Sequence, residues 1–458
     1  MRTLGRKVAW LSILTGSMLV FLNVPSASAI PAFARIHKTS CQTCHTGFPK
    51  LNPFGEAFRL LGYRMPGEMQ PETKPQSLGA EAYKKMWPKA IYPSDIPAYA
   101  PLAMNIKMAS VYDSSVGDAG HEVTHNDFQF PQEVNLFAGG TMGDHISFFS
   151  ELTHAENSDG SSDTEIEHAQ LHFNSLFGHG HWINFKIGKI APDLEDGFQE
   201  MWLSTDNGID TMFTFNPIGL HGGTGLSEEM AGISLPSMVK GVEMYGIGAH
   251  RFFYTVGVVN GLTPANVSST KDFYARADYK FGGMGLDGDT TGVTLPPENW
   301  RERSLRIGVL GYHGSGKGAD FPMEDENGAT FNVQDRNFDR AGIYASWYYD
   351  DLNVFGVAMS GRDRLDTFTA DGVLANSDSH RFTTWFLQSD YVILPPLQAS
   401  LRYESLTPPR SAEVRSLRTL NASLSYFIYA NVKAMVEYRR DLRESKNYSL
   451  NTILRFAF

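Results

Sequence analysis

The carboxyl-terminal part of the chain alternates apolar and polar residues with a period of two. In the last segment one face carries Tyr448, Leu450, Thr452, Leu454, Phe456 and Phe458, and the other carries Ser449, Asn451, Ile453, Arg455 and Ala457. Segments 397–404, 420–428 and 432–439 alternate in the same way. Because successive side chains of a β-strand point to opposite faces, this pattern predicts a series of β-strands.

About 16 such segments follow one another along the chain. They start near residues 101, 126, 143, 165, 182, 238, 251, 271, 303, 334, 352, 380, 396, 416, 430 and 447. Short connections alternate with long ones, which is the layout of an antiparallel outer-membrane barrel with both ends periplasmic and long loops extracellular. Connection 282–303 is long where a short turn is expected. It is either a periplasmic insertion or a sign of a miscounted strand.

The strands of soluble β-sandwiches also alternate apolar and polar residues. The charge of the inner face therefore has to distinguish a soluble sandwich from a membrane barrel. The predicted inner faces include Arg402, Glu404, Glu437, Arg439 and Arg455. A dry core would make these charges costly, whereas a wet lumen accommodates them. No later apolar run of about 20 residues exists, which excludes a helical membrane protein. We therefore predict an all-β fold, an outer-membrane antiparallel β-barrel of about 16 strands in contact with membrane lipid.

The amino terminus has the features of a secretory signal peptide. Arg2, Arg6 and Lys7 form a basic start, residues 8–24 are mostly apolar, and residues 27–29 form an A-x-A cleavage site. We expect residues 1–29 to be removed, and an uncleaved membrane anchor is the alternative. The mature chain then divides into a small domain with its tether, 30–100, and the barrel, 101–458.

The small domain is helical in character, unlike the barrel. Asn52 is a typical helix N-cap residue, Pro53 suits the first helical position, and Gly62 can end the helix. Residues 65–101 are rich in proline and lack clear periodicity, so we interpret them as an irregular tether or plug.

Candidate chemistry lies in the pentapeptide Cys41-Gln42-Thr43-Cys44-His45, which holds the two cysteines of the chain. C-x-x-C-H is the attachment motif of a c-type haem: the thiols bind the porphyrin and the imidazole ligates the iron. A redox dithiol, half of a zinc site and a plain disulfide are the alternatives. The dithiol would require a βαβ surround, and a structural zinc site would require a fourth ligand. We therefore predict one covalent haem c.

The motif stands within a longer run made of 30–35 (IPAFAR), 40–45 (SCQTCH), 48–55 (FPKLNPFG) and 58–63 (FRLLGY). This run resembles the fused monohaem cytochrome-porins of bacterial outer membranes, whose best-known members are iron oxidases of Fe(II)-oxidising bacteria. The close match covers roughly residues 30–63, and over the barrel the similarity is one of architecture only. Related fusions also occur in bacteria not known to oxidise iron.

The resemblance implies a c-type cytochrome domain that acts as a plug in the barrel. Cys41 and Cys44 take the thioether positions and His45 that of the proximal iron ligand. The sixth ligand does not transfer from the family. Among Met65, Met69, Met86 and His37 we favour Met65, because it follows the predicted helix and a thioether raises the haem potential relative to a second imidazole.

The charges are unevenly distributed. The whole chain carries 39 lysines and arginines against 50 acidic residues, but residues 30–100 have a net charge of +4 and residues 101–458 one of −18. The acidic body argues against a nucleic-acid partner and attracts cations. We expect the positive haem domain to dock against the acidic inner wall of the barrel.

These features together predict an electron conduit. Extracellular Fe(II) would give one electron to the single haem, which would pass it to a periplasmic carrier, a soluble cytochrome or copper protein. The protein would then be an iron:cytochrome oxidoreductase. One alternative is a conduit for another donor or acceptor, and another is a solute porin with a tethered haem plug.

Acidic and imidazole side chains suit Fe(II), and two groups of them are candidate iron contacts. The predicted outer loops contain His121, Glu122, His125, Asp193, Glu195 and Asp196. His168 and His172 would share the lumen face of one strand with Gln170. The simpler interpretation is that these residues bind no iron, because outer loops and lumens are polar in any case. Outer-sphere electron transfer would require no dedicated iron site.

Overall fold

The structure is a computed structural model. It describes residues 32–37, 39–66, 102–116, 121–142, 145–156, 160–178, 180–194, 203–213, 235–236, 238–260, 271–317, 322–324, 330–369, 374–408 and 416–458. The predicted signal peptide, Met69, Met86, Glu195, Asp196 and most of the proline-rich tether lie outside the described residues.

The amino-terminal segment, residues 32–66, folds into short elements around the C-x-x-C-H motif. These are helix α1 (Ala32–Ile36), a 3-10 turn (Cys41–Thr43), strands β1 (His45–Gly47) and β2 (Lys50–Leu51), and helix α2 (Pro53–Leu60). The Asn52 side chain caps α2 by accepting a hydrogen bond from the Gly55 amide at 2.8 Å. After α2 the chain turns at Gly62, whose φ of +68° suits glycine. The predicted start and end of this helix are confirmed.

Sixteen long strands of the described chain form a closed antiparallel barrel, which confirms the predicted number. They are β3 (Leu102–Val116), β4 (Glu122–Met142), β5 (Ile146–Glu156), β6 (Ser162–Phe173), β7 (Asn184–Ile190), β8 (Val239–Gly248), β9 (Phe252–Asn260), β10 (Lys271–Gly282), β11 (Glu302–Lys317), β13 (Thr330–Asp350), β14 (Leu352–Thr369), β15 (Leu374–Leu394), β16 (Leu397–Thr407), β17 (Leu417–Tyr429), β18 (Val432–Asp441) and β19 (Tyr448–Ala457). The short strand β12 (Pro322–Glu324) pairs with β13. The last strand pairs with the first, from Tyr448 opposite Ser114 to Ala457 opposite Asn105, and so closes the barrel.

The two rims of the barrel differ in the length of their connections. At one end, here called the short-turn rim, tight connections join β13 to β14, β15 to β16 and β17 to β18. Strands β10 and β11 pair directly up to Gly282 opposite Ser304, so residues 283–301 form an insertion at this rim. Of the two interpretations of connection 282–303, the insertion is therefore correct. Its Asn299 amide donates a hydrogen bond to the Gln42 carbonyl at 2.6 Å.

The outer surface of the barrel is apolar and its inner surface is polar. Leu401, Leu424 and Val436 are exposed on the outside, whereas Arg402 and Glu437 on the alternate positions are fully buried inside. An apolar outside and a polar inside are the pattern of a barrel embedded in lipid. The predicted inward direction of the charged residues is confirmed. Among the described residues, no helix is long and apolar enough to cross a membrane.

The amino-terminal segment lies inside the barrel. Lys50 Nζ lies 2.7 Å from Asp390 Oδ2 on the inner face of β15. The Gln398 side chain of β16 donates to the Thr46 carbonyl at 2.7 Å. On the opposite wall the Tyr63 ring stacks on Phe149 of β5 with a centroid distance of 5.0 Å. The segment therefore spans the lumen between distant strands.

Residues 191–194 and 203–213 also fold into the lumen, although connection 191–229 was predicted to be an outer loop. This stretch contains helix α3 (Asp210–Phe213). Asp206 lies 2.7 Å from Lys107 Nζ, and the amides of Asp206 and Asn207 donate to Glu437 at 2.7 and 2.8 Å. Buried charges need such partners, which explains why the stretch folds inward.

The lumen is less wet than the charged inner faces predict. An apolar cluster fills part of it between the inward-folded stretch and the wall, and contains Ile190, Leu194, Leu203, Ile209, Met212, Leu235, Tyr274, Tyr312, Phe338, Phe355, Phe382 and Phe386 among others. Arg402 is 0% exposed, because its guanidinium bonds Glu404 at 2.8 Å and the Thr205 hydroxyl at 2.7 Å. The inner charges are thus paired partly within the wall, as in Arg402–Glu404, and partly with the inward-folded residues, as in Lys107–Asp206.

Candidate functional site

The turn that carries the two cysteines is held by one side chain. The buried Asn52 amide donates to the carbonyls of Gln42 and Thr43 at 3.0 and 3.1 Å, while its oxygen caps α2. The Asn52 backbone amide donates to the Cys44 carbonyl at 2.9 Å. The residue that begins the helix therefore also fixes the conformation of the motif.

Helix α2 packs directly on the backbone of the motif at Gly55. A Cβ atom placed on Gly55 would lie 2.0 Å from the Cys44 carbonyl oxygen, which is far inside van der Waals contact. Glycine is therefore required for this close approach of helix and turn.

Cys41 and Cys44 are not joined by a disulfide, and both line the same cavity as the imidazole of His45. Burial raises the pKa of the Cys44 thiol to about 12, with a further contribution from Cys41. Burial also lowers the pKa of His45 to about 4, against the opposing effect of backbone hydrogen bonds to Pro49 and Lys50. Burial raises the pKa of the Cys41 thiol as well.

The tautomer of His45 follows from its hydrogen bond. Its Nδ1 lies 3.0 Å from the Pro49 carbonyl oxygen, which can only accept, so Nδ1 carries the proton. The lone pair of Nε2 is then available for a metal. A backbone carbonyl on the second ring nitrogen is the usual way in which proteins orient an iron-ligating histidine.

The motif opens into a cavity of about 470 Å³ between the amino-terminal segment and the barrel wall. Cys41, Cys44 and His45 line one side of it. Apolar rings contribute much of the lining and come from Phe33, Phe48, Phe58, Tyr63, Phe137 and Phe149. The opposite side is formed by residues of β3, β4, β5, β6 and β19.

These residues fit a covalently attached haem c. The cavity has the volume of a typical cofactor pocket and brings both thiols and the imidazole to one wall. Its aromatic lining suits the faces of a porphyrin, and its ligand set is that of c-type haem attachment.

Of the four candidates for the sixth iron ligand, the structure describes Met65 and His37. Met65 is buried against Phe58, Tyr63 and Phe149, and it is not among the residues that line the cavity. The His37 ring packs edge-on against Phe58 with a centroid distance of 5.8 Å, and burial lowers its pKa. The assignment of Met65 stays a prediction.

Apart from Asp193, the candidate iron contacts that the structure describes form two groups. His121, Glu122 and His125 are exposed, but they are not in a long outer loop as predicted: Glu122 and His125 belong to β4 and pair with Val116 and Asp113 of β3, and His121 precedes the strand. His168, Gln170 and His172 are all buried and face the lumen, as the alternation predicts.

Asp193 corrects the sequence analysis, because it is not in an outer loop. It is buried in the lumen, forms an ion pair with Arg59 of α2 and lies 2.9 Å from Lys186 Nζ. These two cations hold the pKa of the Asp193 carboxyl well below its usual range, although burial opposes them. Asp193 therefore links the amino-terminal segment to the wall, and its carboxylate is already occupied.

In addition to Asp206, three carboxylates of the barrel wall line the cavity and were not identified from the sequence. They are Glu133, Glu151 and Glu167, on the neighbouring strands β4, β5 and β6. The alternation of β4 and β5 places Glu133 and Glu151 on the inner face. Glu167 escapes this rule because a register shift in the β5–β6 pairing leaves it without a partner between Ile166 and His168.

No protein-family model matches the sequence, and no curated protein matches it. Several solved outer-membrane proteins each align with 78% of this chain. The loop L8 deletion mutant of OmpT from Vibrio cholerae aligns over 98% of its own length with 12% identity and a TM-score of 0.47. An anion-selective porin from Comamonas acidovorans aligns over 99% of its length with 10% identity and a TM-score of 0.49. OmpF of Salmonella typhi in complex with daunomycin aligns over 97% of its length with 10% identity and a TM-score of 0.49.

Proposed function

We propose that this protein is an outer-membrane c-type cytochrome fused to a porin-like barrel. It takes one electron from extracellular Fe(II) and passes it to a periplasmic carrier, which makes it an iron:cytochrome oxidoreductase. The observation that carries the proposal is the position of the C-x-x-C-H motif. Its two thiols and its imidazole open into one cavity inside a closed barrel whose outer surface is apolar.

The apolar outer surface supports a location in a lipid bilayer. Exposed leucine, valine and aromatic side chains on this scale are unfavourable in water and are typical of a lipid-facing barrel. By the usual orientation of such barrels, the short-turn rim and both chain ends face the periplasm and the long connections face the outside.

Cys41 and Cys44 would hold the haem through thioether bonds, and His45 Nε2 would ligate its iron. The haem supplies one reversible electron when bound. The chain itself orients the ligands, since Asn52 fixes the turn and Pro49 fixes the His45 tautomer. Met65 remains our proposed sixth ligand.

The shape of the cavity supports transfer to a carrier on the periplasmic side. The cavity lining includes Ala430 and Asn431, in the tight turn between β17 and β18, and Ala457 at the end of β19. All three lie at the short-turn rim. A soluble cytochrome or copper protein that docks at this rim would approach the cavity without entering the membrane.

The filled lumen favours an electron conduit over a solute porin. The apolar cluster and the buried polar contacts of residues 191–194 and 203–213 occupy space that a water-filled channel would need. A conduit requires only that electrons cross the barrel, whereas a solute porin requires a continuous wet path.

Anaerobic addition of Fe(II) to the oxidised, detergent-solubilised protein tests the proposal. We expect the α-band of a reduced c-type haem to appear with a stoichiometry of about one electron per chain. The double variant Cys41→Ser/Cys44→Ser is the matched control and should fold as a barrel without covalent haem. A colourless wild-type protein after expression with haem-attachment machinery would contradict the proposal.

Two further measurements separate the alternatives. If Fe(II) leaves the haem oxidised while another reductant or an oxidised acceptor reacts with it, the protein is a conduit for a different partner. If the protein in liposomes passes small solutes and Fe(II) does not reduce the haem, it is a solute porin with a haem plug.

A further inference from the structure

A histidine and a glutamate lie side by side on the lumen face of β5 and β6 with unused polar atoms. Glu151 and His168 are directly opposite each other in the strand pairing. Glu151 Oε2 lies 3.8 Å from His168 Nε2. Among the described residues, this carboxylate oxygen and both ring nitrogens of His168 have no hydrogen-bond partner.

This arrangement is unfavourable unless something else binds there. Glu151 is 6% exposed and His168 is 3% exposed, so bulk water does not satisfy these atoms. A buried polar group without a partner destabilises the folded state, because it has lost its hydrogen bonds to water. Such groups in folded proteins usually contact a bound water or ion. Two of them at one point indicate a ligand site.

The surroundings favour a cation as the ligand. Glu133 and Glu167 line the same cavity wall as Glu151, and within the described chain none of the three carboxylates forms an ion pair with a lysine or arginine. The Asn135 amide donates to Glu151 Oε1 at 3.1 Å, which orients the carboxylate and leaves Oε2 free.

The nearby basic side chains are engaged by other carboxylates. Lys186 lies 2.9 Å from Asp193 and 2.7 Å from Glu243. Lys189 forms an ion pair with Glu165, and Arg455 lies 3.3 Å from Asp206. Among the described residues, Glu133, Glu151 and Glu167 are therefore the carboxylates of this wall that do not form an ion pair with a lysine or arginine.

We propose that Glu151 and His168 are the protein ligands of a weak, incompletely coordinated site for a first-row divalent cation beside the cavity, with Fe(II) as the substrate ion. This inference rests on the proposed function and names the place where the donor binds. Glu133 and Glu167 would add negative charge, and water would complete the coordination.

The geometry and the donor set agree with this assignment. Two ligands that are each about 2.1 Å from one metal ion lie about 3–4 Å apart, which includes the observed 3.8 Å. A mixed imidazole and carboxylate pair favours Fe(II) and its neighbours over Mg²⁺ or Ca²⁺, which prefer oxygen alone. No three histidine, cysteine or acidic side chains of the described chain converge into a complete metal site. A substrate ion must leave after oxidation, and an incomplete site permits this.

Zinc binding to the haem-loaded, full-length protein in detergent tests the site, because Zn²⁺ accepts the same ligands and is redox-inert. Equilibrium dialysis with metal analysis should give one saturable Zn²⁺ per chain. Glu151→Gln and His168→Gln should each weaken its affinity by about tenfold or more. The matched control His154→Gln, an exposed histidine on β5 toward the long connections, should bind as the wild type does.

Absence of saturable Zn²⁺ binding, or unchanged affinity in both site variants, would overturn the assignment. Heat-modifiable migration and the haem spectrum show whether each variant folds. If a site variant does not fold, Glu133→Gln and Glu167→Gln replace it, and they should weaken Zn²⁺ binding more modestly because each removes a charge without removing a ligand.

The result is independent of whether the proposed function holds. If Zn²⁺ binds as expected but Fe(II) does not reduce the haem, the site stands and the electron-transfer proposal fails. If Fe(II) reduces the haem at the same rate in wild type and site variants, and Zn²⁺ does not inhibit, the conduit stands and the site is wrong.

Discussion

Lys50 Nζ lies 2.7 Å from Asp390 Oδ2, and this contact joins the hairpin next to the C-x-x-C-H motif to the far wall of the barrel. Both side chains are almost fully buried, and Lys50 also lies 4.1 Å from the centroid of the Phe355 ring. Removing one partner leaves the other as an unpaired buried charge, which costs about 3–5 kcal/mol.

We therefore expect Lys50→Ala to loosen the amino-terminal segment, with faster proteolysis between residues 32 and 66 and a lower free energy of unfolding in denaturant titrations. Adding Asp390→Asn should recover much of the loss. Arg303→Ala, which breaks an exposed ion pair with Asp350 at the short-turn rim, is the control and should change little. If Lys50→Ala and the double variant Lys50→Ala/Asp390→Asn lose the same free energy of unfolding, the two side chains do not interact energetically.

Gly55→Ala should damage haem attachment without disturbing the barrel. The new methyl group would meet the Cys44 carbonyl oxygen, so helix and motif must separate, at a cost of about 1–3 kcal/mol. We expect a smaller fraction of chains with covalent haem, measured by mass spectrometry and the pyridine haemochrome. Gly311→Ala on β11, where the nearest atom is 3.8 Å away, should attach haem normally. Full haem attachment in Gly55→Ala would contradict the close packing.

The docking of α2 should weaken in acid. Glu56 is buried, which raises its pKa, but Arg59 and Arg306 outweigh this effect and lower the pKa to about 2. A carboxyl group with a depressed pKa stabilises the fold at pH values above its unfolded pKa, near 4.5, and this contribution disappears as the pH falls toward 2. The thermal midpoint should therefore fall progressively between pH 4.5 and 2.

Glu56→Gln should flatten this part of the pH profile and lower the midpoint at neutral pH. Glu165→Gln removes an exposed carboxylate and should leave the profile unchanged. A wild-type profile that matches that of Glu56→Gln would contradict the assignment.

Met65→Ala tests the sixth ligand. If Met65 ligates the iron, the low-spin ferrous spectrum is lost and the midpoint potential falls, because a thioether ligand raises the potential. Loss of the side chain should also reduce stability, since Met65 is buried among Phe58, Tyr63 and Phe149. An unchanged low-spin spectrum with reduced stability would assign Met65 to packing alone.

Much of the barrel was predictable because its signals are local. A period of two places Leu401 outside and Arg402 inside whatever the rest of the chain does, and connection lengths separate the two rims. The helix next to the motif was also predictable, since the cap made by Asn52 involves residues three positions apart.

The contents of the lumen were not predictable, because they depend on pairs that are distant in sequence. Asp206 contacts Lys107, and Asp193 contacts Arg59, so a stretch that has the composition of an outer loop folds inward. The cavity wall formed by Glu133, Glu151 and Glu167 is likewise produced by strand register. The bulge that positions Glu167 leaves no distinctive pattern in the sequence.

The cavity next to the motif takes its walls from both ends of the barrel sequence. Ala103 and Asn105 begin the first strand, while Arg455 and Ala457 belong to the last. This wall is complete only after the final strand has paired with the first. The chamber therefore forms only in a chain that includes the final strand. A product truncated before residue 448 could still carry the motif, but it would lack the finished enclosure around it.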